Sequence, residues 1–380
     1  MRNAFIALTT ATALTASTFA LAGAPAQGQV ASSAARATQK VTLSITPAIS
    51  QNGAGVANPA YAWVAGGVRV SPARKDRLVR IQRRTSDTSA WRTVTSGRTN
   101  GGGVYRFKAD GASGGTQYQF RAVATGTSGL PTTASVPASS SSWNLKFDDQ
   151  FTGSALDTGK WDYRQVGLRQ AGRSKAESSP KAVSVSGSAL HLQVRKNPNR
   201  SGYLYNGHIG SQGHFAYKYG VAAARIKFQK GRGQHGAFWT QPAAPLARYG
   251  SAARTGAEID AAEFFGQGYP KGGLAHFLYS YPRRGSTSKY GQVFPNAAQA
   301  VRGKSDSWWS RYHVFSVDWT SSGYVFRIDG DITWTSTKAV SRVPQYLILS
   351  LLTSDWELPQ LNRSALPNDM KVDWVRVWQR

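Results

Sequence analysis

The chain has 380 residues, no cysteine, and 46 Lys plus Arg against 19 Asp plus Glu, a formal net charge of +27. That length allows two domains, each able to bury its own core. The missing thiols exclude cysteine nucleophiles, cysteine-zinc sites and a disulfide framework.

The excess charge is spread along the chain, about +11 over residues 36–137 and about +15 over 143–380. An evenly basic surface suits attraction to polyanions such as an anionic cell wall or a sulfated glycan, and equally a solubility signature without a ligand. No Lys/Arg cluster alternates with aromatics as in a nucleic-acid groove, so nucleic acid is not an expected partner.

In chain order, residues 1–26 read as an export signal. Arg2 gives the basic start, 4–21 the apolar small-residue run, and Ala24-Pro25-Ala26 the small-x-small cleavage site. The expected location is therefore extracellular. Residues 27–39 form an Ala/Ser/Gln-rich leader, expected to be flexible. No later stretch has the length and apolarity to span a bilayer.

Over 40–136, short alternating runs at 61–64, 68–70, 78–83, 91–94, 104–107 and 118–123 are separated by Gly, Asn, Asp and Ser. They predict a small β-sandwich of immunoglobulin or fibronectin type. It gathers no acids or histidines and reads as an accessory module. Residues 137–142, Pro-Ala-Ser-Ser-Ser-Ser, predict a flexible linker. From 143 to 380, alternation recurs at 189–194, 221–228, 312–319, 324–329 and 370–378, with Asp329-Gly330 placed for a hairpin turn. The fold class is all-β, with a large sandwich following a small one.

The segment that carries chemistry is Gly256-Ala-Glu258-Ile-Asp260-Ala-Ala-Glu263-Phe-Phe-Gly266. In a strand alternate residues share a face, so Glu258 and Asp260 point together and a regular strand sends Glu263 the other way. One extra residue at Ala261-Ala262, a β-bulge, returns Glu263 to their face. Folding alone gives no reason to gather three carboxylates. Glycoside cleavage does, because one carboxylate attacks the anomeric carbon while another protonates the leaving oxygen. Asp260 can hydrogen-bond the nucleophile and separate the two acids by its charge. An acidic surface strand does not suit the apolar flanks Ile259, Phe264 and Phe265. A divalent-metal site lacks the usual extra oxygen ligands from a Gly/Asn/Asp-rich loop nearby.

The same segment resembles glycoside hydrolase family 16, the laminarinase and agarase family of β-jelly-roll enzymes, in its bulged Glu-x-Asp-x-x-Glu form. Residues 145–161 look like the family's opening strand, 219–233 with Ala237-Phe-Trp239 like the segment before the catalytic strand, and 370–378 like the closing strand. The resemblance implies that Glu258 is the nucleophile, Asp260 its support and Glu263 the acid/base of a double displacement with retention. It also implies substrate contacts at Trp239, His276 and Trp356. For His276 and Trp356, ordinary core packing is the competing reading, as it is for Trp319, Trp374 and Trp378.

This chain departs from the family pattern at His235-Gly236, which stands where a Trp-Pro pair is usual. It departs again in the loop 350–359, which replaces a glycine-rich one, and in the alanines between Asp260 and Glu263. No cofactor is required. Some family members hold a structural calcium, for which Asp373 matches one ligand while Gln150 stands where glutamate is common. The expected activity is endo-acting hydrolysis of a β-linked polysaccharide, with β-1,3-glucan favoured. A galactan hydrolase of the agarase or carrageenase kind, a transglycosylase and a non-catalytic glycan-binding protein are the rivals. A monomer is the expected state.

Overall fold

Alternating apolar and polar side chains produce strands nearly throughout the described residues, where helix is confined to single turns. The computed structural model describes residues 38–49, 63–113, 116–127, 129–168, 170–244, 247–295, 297 and 307–380. The export signal and nearly all of the 27–39 leader lie outside the described residues, as do positions 61 and 62 of the first alternating run. No helix among the described residues is long and apolar enough to cross a membrane.

Two small sheets come first. Lys40–Ile45, Trp63–Ser71 and Val104–Asp110 form one. Leu78–Arg84, Arg92–Arg98, Gln119–Ala124 and two short edge pieces form the other. Val41, Val68 and Phe107 from the first meet Val79, Ile81 and Phe120 from the second in a core of their own. Each such side chain, once buried, contributes roughly 1.5–3 kcal/mol.

The serine-rich stretch expected to be a flexible linker is ordered. Ala138–Ser139 pairs with Gln119–Ala124, and Ser140–Ser142 makes a 3-10 turn in which Ser141 N donates to the Ser139 hydroxyl. Ser140 is buried and donates to Gln117 Oε1 at 2.6 Å. Composition favoured flexibility, but the short hydroxyls satisfy the local backbone instead.

Apart from the short pair Ala112–Ser113 and Thr116–Gln117, the remaining strands form one hydrogen-bonded network of sixteen that folds over into a jelly-roll sandwich. Five strands lie in sequence on one side: Ser288–Val293, Leu274–Ser280, Glu258–Phe264, His235–Pro242 and Gln345–Leu352. The other side runs through Ala189–Lys196, Asn368–Gln379, Gly220–Lys227, His313–Thr320, Gly323–Ile328 and Asp331–Ser336. Strand Leu204–Gly210 turns the corner. Its first half pairs with Ala189–Lys196 and its second with Gln345–Leu352. At that corner a Cβ on Gly207 would lie 2.7 Å from the Ala182 carbonyl oxygen and 2.9 Å from Gln193 N, so only glycine lets the backbones approach.

The core lies between the two sides. Ile259, Phe264, Leu347, Leu349 and Leu351 from one meet Phe315, Phe326, Val375 and Val377 from the other. Trp319 belongs to this core, and Trp374 and Trp378 are buried on the outer face of the second sheet with Val221 and Trp143. At the predicted hairpin, Asp329 and Gly330 both take positive φ (47° and 85°), as a two-residue mirror-type turn requires.

Candidate active site

Strand Glu258–Phe264 runs between two antiparallel neighbours, and its register slips against both. Against His235–Pro242, Trp239 faces Asp260 and Phe238 faces Ala262, which leaves Ala261 without an opposite number. Against Leu274–Ser280, Phe277 faces Asp260 and Ala275 faces Glu263, so His276 spans both alanines. Burial follows the slip. Ile259, Ala261, Ala262 and Phe264 all enter the core, while Glu258, Asp260 and Glu263 point to the opposite face. The extra residue turns the strand by one side chain, and small alanines fit it because both methyls point inward.

The face bearing the acids is lined by a polar network. Tyr346 OH accepts from Arg164 Nη2 (2.7 Å) and donates to Gln241 Oε1 (3.0 Å), and Arg164 Nη2 also donates to that oxygen (3.1 Å). These donors fix the amide, so Gln241 Nε2 is left to donate to Glu258 Oε2 at 2.9 Å. Arg164 Nη1 donates to His208 Nε2 (3.0 Å), and the other ring nitrogen of His208 lies 3.3 Å from Ser178 Oγ. Burial, then the cations of Arg164 and Arg173, holds His208 well below the ordinary histidine range, so it stays neutral and accepts.

Electrostatics divide the three acids. Burial pushes Glu258 up to about 7; the Gln241 hydrogen bond opposes that, Glu263 adds to it, and Arg164 and Arg173 pull it back. Asp260, 2% exposed, is raised well above the ordinary aspartate range by burial and by Glu263 and Glu258, and its Oδ2 has no hydrogen-bond partner among the described residues. Glu263 is raised by burial and opposed by His235 and Lys289. Among the three, Glu258 receives a side-chain donor and Asp260 none. The row therefore favours charge on Glu258 and a proton on Asp260, where it can be shared with its neighbours.

Trp239 lies on this face opposite Asp260, donates from Nε1 to Ser350 Oγ (3.1 Å) and stacks on His208 with centroids 6.1 Å apart. Trp356 is 53% exposed and packs against Phe265, the second residue after Glu263. His276 does not reach the site. It is 0% exposed and points into the core, where Nδ1 lies 2.7 Å from the Ala261 carbonyl oxygen and Nε2 2.8 Å from Thr333 Oγ1. Burial drives its pKa down to about 4. Its strand alternates regularly, with Phe277 and Ala275 on the acids' side, so His276 faces the core and donates to the carbonyl at the slip. The expectation of a substrate contact there is corrected.

The positions that the resemblance offered for calcium do not form a cage. Asp373 accepts from Arg225 Nη1 at 2.5 Å, and Gln150 Nε2 donates to Asp148 Oδ2 at 2.9 Å. No cluster of three or more metal-ligating side chains occurs among the described residues.

Sequence reasoning missed Gln241, Arg164, Arg173, His208, Tyr346 and Lys289. In the sequence each is a single polar residue in an ordinary strand or loop; only the register shows that they converge.

Residues 172–376 match the family model for glycosyl hydrolases family 16. The chain belongs to this family. Among characterised relatives, it is 28% identical over 277 residues to glucan endo-1,3-beta-glucosidase A1 of Niallia circulans, covering 62% of this chain and 38% of that protein. It is 26% identical over 249 residues to keratan-sulfate endo-1,4-beta-galactosidase of Sphingobacterium multivorum, covering 62% of this chain and 55% of that one. The chain thus spans about half or less of the length of these relatives. The fold is shared with the laminarinase catalytic domain of Thermotoga maritima MSB8 (TM-score 0.50, 19% identity, 63% of this chain and 98% of that one). It is shared as well with the laminarinase of Rhodothermus marinus (TM-score 0.50, 21% identity, 62% and 97%).

Proposed function

We propose that this family 16 protein is an exported, endo-acting retaining hydrolase of β-linked polysaccharide, with β-1,3-glucan as the favoured substrate. The observation that carries the reading is the bulge at Ala261-Ala262, which turns Glu258, Asp260 and Glu263 to one face.

In the first step ionised Glu258 attacks the anomeric carbon, forming a glycosyl ester, as Glu263 gives its proton to the departing oxygen. Gln241 holds Glu258 for that attack, and the proton of Asp260 stabilises the carboxylate before the ester forms. In the second step Glu263, now a carboxylate, takes a proton from water, and the resulting hydroxide equivalent displaces Glu258. Configuration is retained over the two inversions. Trp239 and Trp356 offer broad apolar faces for pyranose rings.

A second reading, hydrolysis of an anionic galactan, is favoured by Arg164 and Arg173, whose charges act on the acid row itself. The relative acting on keratan sulfate supports it.

The test is a panel of laminarin, lichenan, agarose, carrageenan and keratan sulfate with the wild type and Glu258→Gln. The expected result is sugar release on one of them, lost in the variant, with the first product keeping the anomeric configuration of the substrate. Inversion would remove the double displacement. No turnover on any substrate, with binding intact, would leave a glycan-binding protein.

A further inference from the structure

Two of the three places where this chain departs from the family pattern meet in one hydrogen bond. His235 Nδ1 lies 2.8 Å from Glu357 Oε2, and the same oxygen accepts from Ser354 N at 2.9 Å. Both side chains are deeply buried, His235 at 8% and Glu357 at 2% exposure. The loop that carries Glu357 is tied in turn to the opposite wall. Asp355 N donates to the Gly172 carbonyl (2.7 Å), and the Asp355 carboxylate accepts from Ser174 N (2.8 and 3.0 Å) and Ser174 Oγ (3.0 Å).

The register puts His235 beside Glu263. Ala237 faces Glu263 directly. His235, two residues earlier, points to the same side of the sheet, a diagonal neighbour at roughly 7 Å between Cβ atoms and within reach of long side chains. Its ring packs against Phe265, with centroids 5.7 Å apart. Nε2 makes no hydrogen bond among the described residues.

We propose that His235, clamped by Glu357, is the positioning residue of Glu263: it holds a cationic ring beside the carboxyl that handles the leaving-group proton, and it pins the 353–358 loop to the acid row. This rests on the assignment of Glu263 as the acid/base.

The charges around the pair have definite signs. Burial opposes a proton on His235, but the Glu357 carboxylate and the hydrogen bond to it prevail, with help from Glu263 and against Arg173, so the ring is raised above the ordinary histidine range. Around Glu263, burial raises the carboxyl, His235 and Lys289 lower it, Glu357 raises it and Arg173 lowers it; Asp260 and Glu258 stand in the same row. Of the three cations that lower Glu263, His235 acts most strongly, and Glu357 holds it in place. Its role is to keep Glu263 acidic enough to give up its proton despite burial, and to stabilise the carboxylate left behind.

The experiment compares pH profiles of kcat/KM for wild type, His235→Gln and His235→Lys on whichever polysaccharide the wild type cleaves. The alkaline limb reports the group that must be protonated. Loss of the cation should move that limb up by about one pH unit in His235→Gln, and Lys should return it toward the wild-type position, even with a lower rate. A purely structural histidine would lower activity in both variants and leave the limb where it was; that result overturns the inference while the acid row keeps its assignment. A wild type with no glycosidase activity overturns the assignment itself. Should neither variant fold, NMR titration of the wild-type imidazoles decides, with Glu357→Gln identifying the signal. His235 should remain protonated at pH 7 and lose its proton earlier in Glu357→Gln, and a neutral His235 at pH 7 rejects the inference.

Discussion

Glu258 sits in a position that folding disfavours. Its carboxyl goes from an ordinary 4.5 to about 7 on burial, so the folded state holds a proton that the unfolded chain releases. The stability tied to that proton is complete below about pH 4.5 and is lost as pH rises through about 7, up to about 3 kcal/mol. Glu258→Gln removes the titration. The variant should lose activity by about 10³-fold or more, as expected when a nucleophile is deleted, and melt higher than wild type at pH 8, with the two melting curves converging near pH 4.5. Equal pH dependence of melting in both proteins would contradict the buried charge. Gln241→Leu tests the same carboxylate from the other side. Without its hydrogen bond Glu258 is raised further, so the acidic limb of kcat/KM should move to higher pH while kcat falls about ten- to a hundred-fold. The acids themselves were legible because three of them in six residues have no folding rationale. Gln241 and Arg164 were not, since a lone glutamine at the end of an alternating strand looks like any solvated residue until Tyr346 and Arg164 are seen to orient its amide.

At the scale of elements, the strand that bears the three acids is defined by one surplus residue. Deleting Ala261 leaves Glu258-Ile-Asp260-Ala-Glu263, a regular alternation that keeps the three acids on one face and every other cross-strand pair in place. The expected outcome is a folded protein that keeps part of its activity, measured by denaturant unfolding and sugar release; unfolding or complete loss of activity would mean that the acids need the geometry of the bulge itself. Gly207→Ala should cost about 1–3 kcal/mol with the acids untouched, because the added methyl meets backbone on both sides of the corner. The strands that alternate strictly, such as Gln119–Ala124 and Gly323–Ile328, were readable from period two alone. Gln345–Leu352 is covered on both faces, reads as a nearly continuous apolar run and has no period to detect. His276 went astray because it alternates with Ala275 and Phe277, which pair with Glu263 and Asp260, and so faces the core.

For the molecule as a whole, a net charge of +27 has two explanations that make different predictions about salt. A solubility signature is indifferent to the substrate. A recognition device acts through the field over the acidic face, where Arg164, Arg173 and Lys289 stand close enough to bias Glu258 and Glu263. Arg164 and Arg173 sit partly out of water, so their charges are screened less than the rest of the surface, whose influence dies within a Debye length of about 10 Å at 0.1 M salt. For a neutral glucan, kcat/KM should then change less than about two-fold from about 0.02 to 0.3 M salt. For a sulfated or carboxylated glycan it should fall several-fold, through KM rather than kcat, because the field gathers the substrate before the chemistry begins. Replacing Arg173 by Gln should flatten that slope for the anionic substrate and leave the neutral one nearly unchanged. A steep slope that survives the replacement would assign the attraction to the diffuse surface, and equal salt dependence on both substrates would separate the charge from substrate choice.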